Sequence, residues 1–217
     1  MPDRAVSRRH HPRCTLEWAV ATTPLAGQPI SGDLHVIRPS AQGVVIAAID
    51  GLGHGPDAAR AARVAAATLE QYADASPGAM LRACHRSLVG RRGAVMSIAS
   101  IDEKEAVMTW TGIGDVAGVL TVAGGASARD TTMLVTRAGI LGAGPEPTPY
   151  EQLEPFGPGS TLVLATDGVD PAFGAVLPAA EDPQALADDL LRRFGKSTDD
   201  ALVLVARCHA GVAEVHP

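Results

Sequence analysis

The stretch GVVIAAIDGLGHG at residues 43–55 decides how the first third of this chain folds. Its first seven residues are apolar and rich in β-branched side chains, with no polar alternation, which predicts a strand covered on both faces. The strand ends at Asp50, and the three glycines that follow permit a tight turn. Pro56 suits the first turn of an Ala-rich helix that we expect to continue to about Tyr72. The pattern therefore predicts a carboxylate at the end of a buried strand, directly before a helix.

Three more aspartates stand at the boundaries of apolar, strand-like runs: Asp33 in SGD, Asp167 in TDG and Asp199 before the last run. Carboxylates gathered at strand ends repel one another unless a cation neutralises them, and oxygen ligands suit hard divalent ions such as Mg²⁺ or Mn²⁺. A single Asp-Gly pair is a common turn. The repetition at strand boundaries along the whole chain favours a metal-dependent hydrolase.

The order of the predicted elements indicates the fold class. Strands are expected at 16–21, 34–37, 43–49, 94–101, 106–111, 116–122, 133–136, 161–165 and 201–206, helices at 56–72, 78–89 and 182–194, and an irregular loop over 142–160. This order lacks the βαβα alternation of a doubly wound sheet. We therefore expect an α+β fold in which two antiparallel β-sheets pack face to face and helices cover the outside.

Size and charge narrow the classes of function. The 217 residues fit one domain, expected at 14–210 between a flexible basic N-terminal tail (1–13) and a short C-terminal tail (211–217). The net charge of −6 argues against nucleic acid as the main partner. No apolar run approaches the ~20 residues needed to cross a bilayer. We expect no membrane partner and a cytoplasmic location.

The cysteines agree with that location. Cys14, Cys84 and Cys208 are widely separated and form no CxxC pair. An odd number without a disulfide framework fits a reducing cytosol and argues against a thiolate metal site. We expect each to be a small, buried or partly buried apolar residue.

Six short segments carry a resemblance to a known family. They are SGD at 31–33, DGLGHG at 50–55, RGA at 92–94, GIGD at 112–115, ATDGV at 165–169 and DDALVLV at 199–205. In this order they resemble the PPM (PP2C-type) metal-dependent protein serine/threonine phosphatases. The match is to the bacterial branch of SpoIIE, RsbU and RsbX, above all the stand-alone RsbX type. The resemblance extends from about residue 16 to residue 207 and implies a PP2C-like αββα sandwich.

The resemblance also implies a metal centre and a mechanism. Two Mn²⁺ or Mg²⁺ ions would activate a water that hydrolyses phosphoserine or phosphothreonine directly, without a phospho-enzyme. Asp50 would bridge both ions and the Gly51 carbonyl would bind one of them. Asp167 and Asp199 would be ligands of the second ion, and Asp115 would be a ligand for a third, weaker ion. Asp33 would support the metals directly or through water. Asp200 would lie behind the ligands without binding an ion itself.

Two roles stay open at this stage. His54 is the candidate general acid, because histidine titrates near neutrality. Many eukaryotic members, however, place a histidine directly after Asp-Gly, where this chain has Leu52, so His54 either protonates the leaving oxygen or only supports the turn. Arg92 or Arg38 could replace the arginine that clamps phosphate in larger relatives, although a solvated arginine is the favoured interpretation of both.

The resemblance implies substrates and leaves alternatives. The expected partners are phosphorylated STAS-domain or other anti-sigma-pathway proteins of a stress-response, partner-switching pathway, and the enzyme would be a monomer or weak dimer. One alternative is a pseudophosphatase or docking module that binds partners without turnover; the aspartate cluster disfavours it. Another is a nucleotide-binding protein with a phosphate-cradling loop at 51–55, disfavoured because no Gly-Lys-Ser/Thr follows.

Overall fold

The computed structural model describes residues 14–123, 129–177 and 182–210. The predicted tails, 1–13 and 211–217, lie outside these residues. The strands are β1 (Cys14–Thr23), β2 (Asp33–Pro39), β3 (Gly43–Gly51), β4 (Ala94–Asp102), β5 (Val107–Ile113), β6 (Ala117–Ala123), β7 (Arg129–Leu134), β8 (Gln152–Pro155), β9 (Thr161–Ala165) and β10 (Ala201–Ala210). The helices are α1 (Gly55–Gln71), α2 (Pro77–Leu88) and α3 (Pro183–Phe194), with a short 3-10 helix at Pro171–Ala175.

The strands form two antiparallel sheets of five strands each. The first sheet has the order β1-β10-β9-β6-β7 and the second the order β2-β3-β4-β5-β8. One apolar cluster fills the space between the sheets, a second lies between the second sheet and helices α1 and α2, and a third lies between the first sheet and α3. The predicted αββα sandwich is confirmed.

Strand β3 shows why the sequence pattern worked. Val44, Ile46 and Ala48 belong to the cluster between the sheets. The alternating residues Val45, Ala47 and Ile49 pack toward α1 and α2. Because side chains alternate between the two faces of a strand, every position of a strand buried on both faces contacts an apolar layer. Its uninterrupted apolar run follows from that placement.

Helix α1 approaches the end of β3 very closely, and its small side chains allow this. Ala58, Ala61, Ala62 and Ala65 are buried on its inner side. A Cβ at Gly51 would lie only 2.2 Å from the carbonyl oxygen of Ala58. Glycine is therefore required at position 51, and the turn that follows Asp50 is held tightly against the helix.

The sequence-based expectations failed at two strands. The strand expected at 133–136 is β7 at Arg129–Leu134, where it pairs with β6 along its length. Strand β8 lies within the segment expected to be irregular. It pairs with β5 and forms the edge of the sheet, and its residues alternate between half-buried and exposed positions. Such a short strand has no apolar run by which its sequence could identify it.

All three cysteines are buried, as expected, but two of them are joined in a disulfide that the sequence did not predict. Cys14 and Cys208 form a disulfide between β1 and β10, although 194 residues separate them in sequence. The antiparallel pairing of the first and last strands brings their Cα atoms to 5.4 Å. Cys84 is free and buried, as expected, and its burial raises the pKa of its thiol to about 12.

Within the described ranges, none of the helices combines the length and the apolar character that crossing a membrane requires.

Candidate metal centre

The sheets bring the predicted aspartates to one end of the sandwich. Asp33, the first residue of β2, pairs directly with Asp50 near the end of β3. Asp167 follows β9 and Asp199 precedes β10, and these two strands are antiparallel neighbours. Asp115 lies in the turn between β5 and β6. Strand pairing, rather than nearness in sequence, assembles this acidic end.

Four of these carboxylates line one cavity of about 400 Å³. The acidic residues are Asp50, Asp115, Asp167 and Asp199, and the remaining wall is formed by Leu52, Gly53, Val95, Gly114, Ala138, Gly139 and Ile140. Carboxylate oxygens of Asp50, Asp115 and Asp167 all lie within 4.8 Å of one another. Three carboxylate oxygens this close together could hold a divalent cation, which takes oxygen ligands.

The electrostatics of the metal-free cluster favour a cation. Burial, with the charges of the neighbouring aspartates added to it, raises the pKa of Asp50 to about 9. Burial also raises the pKa of Asp167, as do the charges of Asp115 and Asp199, while Lys196 opposes this shift. These carboxyl groups cannot all ionise without a neutralising charge, since like charges at short range disfavour the ionised form. The residues present therefore fit a bound divalent metal.

Asp33 lies deeper than the cavity and is held by a partner that the sequence did not indicate. Only 5% of it is exposed, and its Oδ2 accepts a 2.7 Å hydrogen bond from the Thr166 hydroxyl. Burial raises the pKa of Asp33 to about 7, although the Thr166 hydrogen bond opposes the shift. Thr166 Oγ1 in turn accepts from the Leu202 amide at 2.9 Å. A single hydroxyl thus links β9, β10 and the start of β2.

Asp200 holds the loop between β1 and β2 in place. Its Oδ1 accepts from the Leu25 amide and its Oδ2 from the Gly32 amide, both at 2.7 Å. The side chain is almost completely buried. Its neighbour Asp199 is partly exposed in the cavity and accepts a 2.8 Å hydrogen bond from the Asp200 amide. The two adjacent aspartates therefore have different roles: Asp199 lines the cavity, and Asp200 fixes the backbone behind it.

The Asp167-Gly168 turn is as tight as the Asp50-Gly51 turn. A Cβ at Gly168 would lie 1.8 Å from the carbonyl oxygen of Asp200, so only glycine fits. The Lys196 ammonium donates to the Asp167 carbonyl oxygen at 2.6 Å, and the Lys196 amide donates to the Gly168 carbonyl. These contacts fix the backbone on which the Asp167 carboxylate stands.

The two residues with open roles lie on the rim. His54 is exposed at the N-cap of α1, its side chain makes no capping hydrogen bond, and it is not among the residues that line the cavity. Arg92 lies against the turn, since a Cβ at Gly53 would be 3.3 Å from its Nη1. Arg38 is near the opposite end of β2 from Asp33, about 16 Å away along the strand, and is remote from the cavity.

The structure thus brings together Asp50, Asp115, Asp167 and Asp199 and leaves Asp33 buried beside them. Asp115, predicted only for a weaker third ion, joins Asp50 and Asp167 in the group whose carboxylate oxygens lie within 4.8 Å of one another. Thr166 was missed as a functional position, although it precedes Asp167 at the end of a buried strand. A hydroxyl at the end of an otherwise apolar run was the signal that could have identified it.

Comparisons with known proteins agree with this geometry. The sequence profile of the family described as Stage II sporulation protein E (SpoIIE) matches residues 40–209. Phosphoserine phosphatase RsbX of Bacillus subtilis (strain 168) is 22% identical over 183 residues, which are 83% of this chain and 89% of RsbX.

Two solved structures extend the likeness to three dimensions. One comes from work on the bacterial stressosome as a modular system that controls secondary messenger signalling; it has a TM-score of 0.81, is 26% identical, and the match covers 89% of this chain and all of that one. The other is RsbX in complex with magnesium, with a TM-score of 0.79, 20% identity, and coverage of 89% of this chain and 95% of that chain. The chain belongs to the SpoIIE family, which is a branch of the PP2C-type protein serine/threonine phosphatases.

Proposed function

We propose that this protein removes phosphate from phosphoserine or phosphothreonine of a partner protein, with two divalent ions, Mn²⁺ or Mg²⁺, held in the acidic cavity. The observation that carries the proposal is the group of three carboxylates, Asp50, Asp115 and Asp167, whose oxygens lie within 4.8 Å of one another. The membership of the chain in a phosphatase family supports the same conclusion.

The ligand assignment rests on where each carboxylate lies. Asp50, which pairs with Asp33 and has its pKa raised to about 9, would be the carboxylate shared by both ions. Asp167 and Asp199 would hold the second ion, and the Gly51 carbonyl would contribute to the first. Asp115 would either complete this set or hold a third ion. When bound, the ions would activate water and offset negative charge on the phosphate oxygens.

The chain's own residues position this cluster. The Thr166 hydroxyl fixes the Asp33 carboxylate, and Asp200 fixes the loop that carries Gly32. Both contacts are buried, so the backbone at the ends of β2 and β3 is held rigid beside the ligands. Partners of this kind orient the groups that ligate a metal, and their loss usually lowers activity without removing a ligand.

His54 is proposed as the general acid that protonates the leaving serine oxygen. The side chain is free of capping hydrogen bonds and stands on the turn directly after Leu52 and Gly53, both of which line the cavity. A substrate seated in the cavity would therefore present its leaving oxygen near this turn. The competing role, simple support of the turn, predicts that loss of His54 has the same effect whatever the leaving group.

The substrate class is proposed from kinship. RsbX is a phosphoserine phosphatase, and a stressosome structure shares the fold. We infer phosphorylated STAS-domain proteins of a partner-switching pathway as substrates, and a cytoplasmic protein that works as a monomer or weak dimer. The two tails, 1–13 and 211–217, are proposed to flank a single catalytic domain.

One experiment tests the proposed activity. Phosphate release is measured from a small aryl phosphate and from a phosphorylated STAS-domain protein, with Mn²⁺, with Mg²⁺ and with a chelator. Turnover should require the ion and should return when the ion is restored. Activity that is indifferent to the chelator, or absent with either ion, would refute the proposal.

A further inference from the structure

A second hollow lies beside the metal centre and carries the opposite charge. It has a volume of about 320 Å³, and its lining residues are Asp57, Arg60, Ala61, Val64, Gly90, Arg91 and Arg92. Three arginines against one aspartate make it a positive site on a chain whose net charge is −6. We call it the arginine hollow. No role has been given to it by the catalytic assignment above.

The arginine hollow and the metal cavity share a wall. Gly53 lines the metal cavity, and Arg92 from the arginine hollow lies against it. The Leu52 amide donates to the Gly93 carbonyl at 3.0 Å, which ties the turn after Asp50 to the segment that carries the arginines. A peptide chain with its phosphorylated residue in the metal cavity would therefore pass the hollow within a few residues.

The arginines are available for a ligand. Among residues 14–123, 129–177 and 182–210, the ion-pair partner of Arg60 is Asp57, at 3.5 Å between exposed side chains on the same helix. Within the described residues, the guanidinium groups of Arg91 and Arg92 form no ion pair and no hydrogen bond. Arg91 is nevertheless held in place, since its amide donates to the Leu88 carbonyl at 2.9 Å across a turn in which Gly90 has φ +74°.

The remaining lining indicates what the ligand would be. Ala61 and Val64 on α1 form an apolar part of the wall. A glutamate side chain matches this arrangement, because its methylene groups can cover the apolar part while its carboxylate reaches the guanidinium groups, which bind carboxylates well. A positively charged or purely apolar side chain would leave the arginines unpaired.

We propose that the arginine hollow is a specificity subsite that binds acidic residues near the phosphorylated serine or threonine of the substrate. The inference rests on the proposed phosphatase function, since it places the phosphorylated residue in the metal cavity. It identifies the substrate class more narrowly as phosphoproteins with acidic flanking sequence. Arg60 and Arg91 provide the selectivity, while Arg92 is close enough to the turn to influence the metal cavity as well.

The test compares three phosphoserine peptides that differ only in flanking residues, Glu, Gln or Lys, together with a small aryl phosphate. The wild-type enzyme should prefer the Glu-flanked peptide. In the double variant Arg60→Ala/Arg91→Ala, kcat/KM for that peptide should fall roughly three- to tenfold, as expected for exposed ion pairs. Turnover of the aryl phosphate and the Gln-flanked peptide should not change. Arg63→Ala is the control, because Arg63 is exposed on the same helix but does not line the hollow.

Charge reversal gives the sharper outcome. Arg60→Glu/Arg91→Glu should shift the preference toward the Lys-flanked peptide, which a merely structural role of these arginines would not produce. Equal losses on all peptides, or a wild-type enzyme indifferent to the flanking charge, would overturn the subsite. Should the aryl phosphate not be hydrolysed with Mn²⁺ or Mg²⁺, the proposed function fails, and binding of the fluorescently labelled peptides to the same variants still decides on the hollow.

Discussion

The metal cavity and the arginine hollow lie on two sides of the same turn, and they use charge in different ways. In the cavity, carboxylates crowd together, and burial with the charges of neighbouring aspartates raises the pKa values of Asp50 and Asp167. In the hollow, the arginines are exposed. Burial therefore makes the first region dependent on a metal, whereas exposure leaves the second suited to weak, selective contacts. Substitutions in the metal cavity should therefore have larger effects on activity than substitutions in the arginine hollow.

The largest effect is expected in the metal cavity. Asp50→Asn should lower kcat/KM by more than about 100-fold, which exceeds the loss typical of residues that only orient a ligand. The same variant should lose the rise in melting temperature that Mn²⁺ or Mg²⁺ produces in the wild type. Asp188→Asn is the matched control, since Asp188 is exposed on α3 and lines neither the cavity nor the arginine hollow. Normal metal-dependent turnover in Asp50→Asn would contradict the bridging role.

His54 stands on the turn between the two regions, and its substitution distinguishes protonation of the leaving group from simple support of the turn. As a general acid it should matter only for a poor leaving group, so His54→Gln should lower phosphoserine turnover by about 100-fold. Hydrolysis of an aryl phosphate, whose leaving group departs without a proton, should change little. Equal, small effects on both substrates would assign His54 to support of the turn.

Asp200 is expected to have a mixed effect. Asp200→Ala removes the acceptor of two backbone amides, and each unsatisfied buried donor costs about 1–3 kcal/mol. We expect a clear fall in the free energy of unfolding together with a roughly 10- to 100-fold loss of activity.

Asp199→Asn provides the comparison for Asp200. It should weaken metal binding, measured by calorimetry, with a much smaller loss of stability, since Asp199 accepts only one local hydrogen bond. If Asp200→Ala were as stable as the wild type, the loop between β1 and β2 would not depend on this carboxylate.

The pH dependence of stability separates the cluster from the exposed charges. In the metal-free protein, Asp33 and Asp50 have pKa values of about 7 and about 9, both above the ordinary 3.8. The folded state therefore binds more protons than the unfolded state above pH ~4, so stability must fall as pH rises. The loss should continue through about pH 7 for Asp33 and about pH 9 for Asp50.

This trend is measured as the free energy of unfolding by denaturant between pH 5 and 9, with the protein kept metal-free by a chelator. Asp50→Asn should remove the part that extends toward pH 9, because the amide does not titrate. A saturating divalent ion should oppose the trend, since it favours the ionised carboxylates. A metal-free protein whose stability rises across this range would contradict the raised pKa values.

The smallest effect belongs to the arginine hollow. Asp57→Asn removes the carboxylate beside Arg60, and the preference for a Glu-flanked over a Gln-flanked peptide should increase about twofold, the size expected of one exposed ion pair. The preference should decline in 1 M salt, where the screening length shortens to about 3 Å. Unaltered selectivity would show that Asp57 does not compete with the substrate for the hollow.

Much of the fold could be predicted where the sequence pattern is enforced by burial. Strand β3 and helix α1 have the limits expected of them within about two residues, because a doubly buried strand and an alanine-rich helix admit few alternatives. Strand β8 could not be predicted, since it is a four-residue edge strand that exposes half of its residues. The disulfide between Cys14 and Cys208 escaped prediction because it depends on pairing of the first and last strands.

For the metal centre, the amino-acid sequence by itself determined which carboxylates stand at strand ends. This property is local, since it depends on the strand, the turn and the residue type. The need for glycine after Asp50 and Asp167 depends on packing, because a Cβ there would meet the carbonyl oxygens of Ala58 and Asp200. The tertiary structure alone decided that Asp115 joins Asp50 and Asp167, that Thr166 holds Asp33, and that arginines from α1 and from the segment after α2 share one hollow. These contacts join residues tens of positions apart, and only the packing of sheets and helices sets their distances.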